Sequence, residues 1–205
     1  MSVIGKPRHR RAAGGTGGAQ GNERLTALTG AVLLVLFAAE GCTVVSVQHL
    51  LTLHFVLGML LLGPVALKIS ATTYRFVRYY TGSLPYVRKG PPAPLLRLLG
   101  PLVILTSVTV LGSGVALAIT GPQHGSWLLV HKASFVLWFA VMTIHVLWYV
   151  PRLPRLLAAW PVGRTRQVLA GAWTRWLLLA ASLAGGLIVA ALTLHLAGRW
   201  GISHG

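Results

Sequence analysis

The sequence predicts an all-α integral membrane bundle of five transmembrane helices, with the N-terminus cytoplasmic and the C-terminus extracytoplasmic. Composition is the first reason. Of 205 residues 55% are hydrophobic and only 10% charged, where a soluble domain carries about a quarter charged residues. The second reason is segmentation. Apolar stretches near 26–47, 49–70, 99–120, 127–150 and 173–197 each reach the roughly 20 residues that cross a bilayer as helix, and they lack the polar face that buried helices of a soluble protein keep. The third is where the bases lie. Lys6, Arg8, Arg10, Arg11 and Arg24 precede the first stretch; Arg75, Arg78, Arg88, Lys89 and Arg97 separate the second from the third; Arg152, Arg155, Arg164, Arg166 and Arg175 separate the fourth from the fifth. The first-to-second and third-to-fourth connections carry none, and the C-terminal tail carries only Arg199. Lys and Arg are retained in the cytoplasm, which sets the orientation. The net charge of +16 is thus a topology signal, with attraction to anionic lipid as a secondary effect. It does not indicate a nucleic-acid partner, because the bases avoid the apolar runs and gather between them. A single cysteine, Cys42, excludes an intramolecular disulfide and a cysteine-rich metal site.

Taken in order, residues 1–24 are basic and Gly-rich and are expected to be a disordered tail. The first apolar run is too long for a cleaved signal peptide and is read as an uncleaved signal anchor. It carries Glu40, the only carboxylate in a span, either protonated and hydrogen-bonded or a proton acceptor for quinol oxidation. The second run contains LHFVLGMLLLGPVALK at 53–68. The segment 71–98 mixes Tyr and Arg and turns at GPPAP, which cannot continue a helix; it is read as an inner interfacial loop. The third run holds VLGSGVAL at 110–117 and the fourth HKASFVLWFAVMTIH at 131–145. The connection 151–172 begins PRLPRL and has the character of the first inner loop. The fifth run carries a ladder of small residues, Ala181 with Gly185 and Gly186 with Ala190, whose four-residue spacing suits close helix packing within or between chains. Residues 25–150 therefore read as a four-helix core, and 151–205 as a cytoplasmic connection, a fifth helix and a short outer tail.

The chemistry-bearing residues are histidines. His131 and His145 are fourteen positions apart, almost four whole turns, so they share a helix face at opposite depths, about 21 Å apart. Imidazoles inside a span are uncommon and usually functional. His54 on the second span lies at the depth of His131 on the co-directional fourth, a suitable pair for bis-imidazole haem ligation. Gly58 lies one turn beyond His54, and Gly112 and Gly114 fall at about the same depth, small enough to leave room beside a macrocycle. Gly100 falls at the depth of His145. Fourteen residues after His54 the same face carries Lys68, not histidine. Lys68 is open to three readings: a ligand opposite His145 in a second haem, a partner for a haem propionate or lipid phosphate, or a cation snorkelling to the interface while His145 bridges helices. One haem b is the minimum expectation and two the maximum. His49, His124, His195 and His204 fall at or beyond the outer surface; His49 and His195 are alternative ligands. The competing account is a haem-free membrane scaffold or accessory subunit whose histidines bridge helices through hydrogen bonds. A transporter would show internal repeats and broken helices, and no repeat is visible.

The run from LHFVLGMLLLGPVALK through VLGSGVAL to HKASFVLWFAVMTIH resembles the bacterial membrane cytochrome b families with a four-helix haem core, such as the cytochrome b561 type and small ferric-reductase-like proteins. The resemblance covers about 26–150 and leaves the fifth span outside. It implies that His54 and His131 hold an outer b-type haem, that His145 contributes to an inner one, and that electrons pass between a quinone pool and a redox partner protein at the plasma membrane. Lys68 departs from the di-haem pattern. No nucleophile or acid–base pair indicates an enzymatic activity of the chain's own.

Overall fold

The computed structural model describes residues 18–90, 94–122, 125–149 and 171–201. These residues are helical throughout, with short turns and no strand among them. The elements are α1 (Gly18–Val45), α2 (Val47–Tyr80), a single turn α3 (Leu84–Val87), α4 (Pro94–Thr120), α5 (Gly125–Tyr149) and α6 (Ala172–Thr193), followed by a 3-10 turn (Leu194–Leu196) and a last short turn α7 (Gly198–Gly201). Among the described residues five helices are long and apolar enough to cross a membrane. Their outward side chains are apolar and exposed: Val35 on α1, Val136 and Phe139 on α5, Leu187, Ile188 and Leu192 on α6. Such a surface suits a lipid bilayer.

The helices run further than the apolar stretches do. α1 begins at Gly18, so Gly18–Arg24 is helix and not part of a disordered tail; residues 1–17 lie outside the described set. Contacts with the far end of α2 hold this extra length in place. Asn22 Nδ2 donates to Ala71 O at 3.0 Å, Lys68 donates to Thr26 O, and Glu23 pairs with Lys89 beyond α3. α2 likewise continues ten residues past the expected end of its span, to Tyr80, so the Tyr/Arg run at 74–80 is helix, as are the residues from Pro94 on; residues 91–93 lie outside the described set. Ser46 alone joins α1 to α2, and α2 bends at Leu50, where φ is −111° and ψ 19°. The connection 151–170 lies outside the described residues.

α2 is the centre of the bundle. α1 packs along one side of it and α6 along another, while α4 and α5 form a second closely packed pair. One buried cluster joins Leu33 of α1 to Leu61 and Val65 of α2, with Leu111 of α4 against it. Another joins Met59 of α2, Ala118 of α4 and Ala190 of α6. The α1/α2 and α4/α5 pairs meet more sparsely. Phe37 of α1 and Trp138 of α5 close that gap, with ring centroids 4.7 Å apart, and the Trp138 indole donates to Ser107 of α4 at 3.0 Å.

The fifth helix belongs to this bundle and is not an appendage to a four-helix core. A side chain at Gly63 of α2 would collide with the Ser182 backbone of α6, and one at Gly186 with the Leu60 backbone of α2. Of the expected ladder, Gly186 and Ala190 are buried in this crossing, while Ala181 and Gly185 are exposed. Pro64 explains why the crossing falls here. It lacks the N–H that would bond the Leu60 carbonyl one turn back, and Gly186 of α6 lies so close to that carbonyl that a Cβ there would overlap it.

Candidate functional site

Four helices converge on one cluster between the α1/α2 and α4/α5 pairs, about two turns in from the end where α1 meets α2. α1 supplies Glu40 and Thr43, α2 supplies His54, α4 supplies Ser113 and Gly114, and α5 supplies His131 and Ser134. The imidazoles of His54 and His131 approach with centroids 6.3 Å apart and planes at 75°. The pair matched by depth in the sequence is therefore a pair in space. Phe37 and Trp138 lie deeper by one and two turns, and form the floor of the cluster.

The surrounding hydrogen bonds fix which nitrogen of each ring carries the proton. His54 Nδ1 lies 2.9 Å from Thr43 Oγ1 and 3.0 Å from Glu40 Oε1. Thr43 already donates its hydroxyl proton to Glu40 O at 2.6 Å. With Glu40 ionised both neighbours accept, and Nδ1 is then the protonated nitrogen. His131 repeats the arrangement with other partners. Its Nδ1 lies 3.0 Å from Val110 O and 3.1 Å from Ser113 Oγ, and Ser113 donates to Val110 O at 3.0 Å. Again both neighbours accept. Each ring is left with an unprotonated Nε2, the form in which imidazole binds a metal, with its other nitrogen held by a carboxylate or carbonyl as metal-binding histidines generally are.

Of the three glycines expected to leave room beside a macrocycle, Gly58 and Gly114 have the cluster's own side chains against them. A Cβ on Gly58 would stand 3.5 Å from Glu40 Oε1, and one on Gly114 would stand 3.1 Å from His131 Cε1. Gly112 and Gly100 face open space and touch neither histidine. Glu40 Oε2 is buried without a hydrogen-bond partner, an expensive condition for a carboxylate oxygen. Thr43, Ser113 and Ser134 escaped the reading by histidine depth. Their signal was available in the spacing: Thr43 is one turn from Glu40, Ser134 one turn from His131, and Ser113 adjoins Gly114.

The deeper residues do not reproduce this cluster. Lys68 donates to the Thr26 carbonyl oxygen of α1 and lies within electrostatic range of His145. His145 Nδ1 is buried with no hydrogen-bond partner, and its ring lies 5.0 Å from that of Tyr149. His49 is exposed, as is His195, whose Nδ1 lies 3.0 Å from Leu192 O on its own helix; His124 and His204 lie outside the described residues. Among the described residues no group of three or more His, Cys, Asp or Glu is gathered to hold a metal ion. A zinc-type site thus has no donor set here, whereas axial ligation of a haem iron asks for only two. His54 and His131 are the two residues of the cluster that would hold such an iron. No protein-family model, curated protein or solved structure matches this chain.

Proposed function

We propose that the chain is a multi-pass plasma-membrane protein that binds one b-type haem through His54 and His131 and relays electrons between a membrane quinone and a redox partner protein. The observation that carries this reading is the pairing of two imidazoles from non-adjacent helices, 6.3 Å apart, each with Nδ1 tied to acceptors and Nε2 left free. When bound, the haem supplies one-electron chemistry. The chain's part is to orient and insulate. Glu40 and Thr43 hold the His54 ring, and Val110 O and Ser113 hold His131. Gly114 lets α4 approach the His131 ring, and Phe37 with Trp138 seals the site from below.

The second reading, a haem-free scaffold with helix-bridging histidines, draws on the same hydrogen bonds, since each ring already ties two helices together. A reduced-minus-oxidised spectrum with pyridine haemochrome quantification separates the two. The expected result is a b-type spectrum at one haem per chain, lost in both His54→Ala and His131→Ala. A folded, haem-free protein from haem-replete cells would leave the scaffold reading standing, and unchanged haem content in both variants would overturn the assignment of His54 and His131 as ligands.

A further inference from the structure

Lys68 is a cation without an acid. The chain has two carboxylate side chains, Glu23 and Glu40, and they are engaged by Lys89 and His54 respectively. The described contact of the Lys68 ammonium is the Thr26 carbonyl, which accepts one of its three N–H groups. Gly30 gives it space: a Cβ there would stand 3.0 Å from Nζ. His145 lies within electrostatic range and has a buried Nδ1 with no hydrogen-bond partner. The half-buried Lys68 ammonium has N–H groups beyond the one given to Thr26 O, and His145, in the tautomer with its proton on Nδ1, has one more at the same depth, so both can donate to an acceptor from outside the chain.

Depth narrows the acceptor. At 1.5 Å per residue Lys68 lies about 32 Å, and His145 about 30 Å, from the start of α2 and α5. That is one hydrocarbon thickness, the level of the opposite leaflet's headgroups. Arg24 and Arg175 stand within electrostatic range of each other at this end of the bundle and keep it cationic. We infer that Lys68 and His145 form a binding site for a phosphate oxyanion between α1, α2 and α5, occupied in the membrane by the headgroup of an anionic phospholipid of the inner leaflet. A phosphate offers several acceptor oxygens and a full counter-charge, and basic pockets between helices on the cytoplasmic side are where such headgroups settle. The inference does not depend on haem, and its readouts do not involve haem.

The test is thermal unfolding of the purified full-length protein in detergent, titrated separately with phosphatidylglycerol, phosphatidylcholine and inorganic phosphate, with native mass spectrometry to count retained lipid. Phosphatidylglycerol is expected to raise the unfolding temperature of the wild type and to survive on it, whereas phosphatidylcholine, whose phosphate carries its own cation, does neither. Lys68→Gln should weaken the effect at least about tenfold, the loss of one charged hydrogen bond, and Lys68→Arg should retain it. His145→Ala, which leaves the cation in place, should weaken it as well. A shift produced equally by inorganic phosphate, and lost in the same variants, would assign the site to a free anion. Equal phosphatidylglycerol shifts in the wild type, Lys68→Gln and His145→Ala would overturn the inference.

Discussion

At the scale of single residues, the site depends on small polar groups more than on the histidines alone. An imidazole in a membrane has two nitrogens to satisfy, and the identity of the protonated one decides whether it is a ligand or a bridge. Thr43 and Ser113 decide it here, because each spends its own proton on a carbonyl of its helix and can only accept from the ring. The pairing of His54 with His131 was legible in the sequence, because depth follows from counting residues along straight helices. The Glu40 and Thr43 partnership was not, because it depends on how α1 is rotated about its axis, and an almost uniformly apolar helix carries little pattern to set that rotation. Two glycines in the same short run make a controlled test. Gly114→Ala puts a methyl 3.1 Å from His131 Cε1, whereas Gly112→Ala meets nothing within 4 Å. On the haem reading the first should weaken haem affinity by about 10- to 100-fold, as loss of ligand orientation generally does, and shift the low-spin EPR signal. The second should leave both unchanged. Equal behaviour of the two variants in a haem titration would show that the His131 orientation is not what holds the cofactor.

At the scale of helices, the apolar stretches gave the number and order of the spans, and the contacts gave their true lengths. α1 and α2 outrun their apolar segments, and Asn22 ties the added length of one to Ala71 of the other while Glu23 pairs with Lys89 beyond α3, interactions that no hydropathy count registers. The sequence also showed a small-residue ladder on α6 without showing its partner. That partner is the Gly63–Pro64 pair of α2, where the proline frees a carbonyl and the glycines let two backbones meet. Small-residue crossings of this kind hold membrane helices together by packing, since burial from lipid supplies no hydrophobic drive. Gly186→Ala should therefore destabilise the bundle by about 1–3 kcal/mol through overpacking against the Leu60 backbone. Gly185→Ala, on the adjacent exposed position with nothing within 4 Å, should be neutral. Reversible unfolding in mixed micelles measures both. A neutral Gly186→Ala would mean that α6 can back away from α2 without loss, and that the fifth helix is only loosely held.

At the scale of the whole molecule, the charge distribution gives the two ends of the bundle different work. Among the described residues Arg24, Arg75, Arg78, Arg88, Lys89, Arg97 and Arg175 lie at the end of the bundle that holds Lys68, and the His54/His131 cluster lies toward the other. If the basic end is cytoplasmic, Lys68 faces the leaflet whose surface is negative, and the proposed haem lies nearest the extracytoplasmic surface, so that its redox partner approaches from outside. Both assignments rest on one orientation and would reverse with it. Alkaline phosphatase fused at the C-terminus should be active, and the same enzyme inserted after Lys89 should be inactive, because the reporter folds only outside the cytoplasm. The reverse pattern would place Lys68 at the outer leaflet and the imidazole pair near the cytoplasm. The chemistry of each cluster would be unchanged, but the lipid would then have to come from the outer leaflet and the electron partner from the cell interior. The reporter pair thus determines the compartment from which a redox partner should be sought.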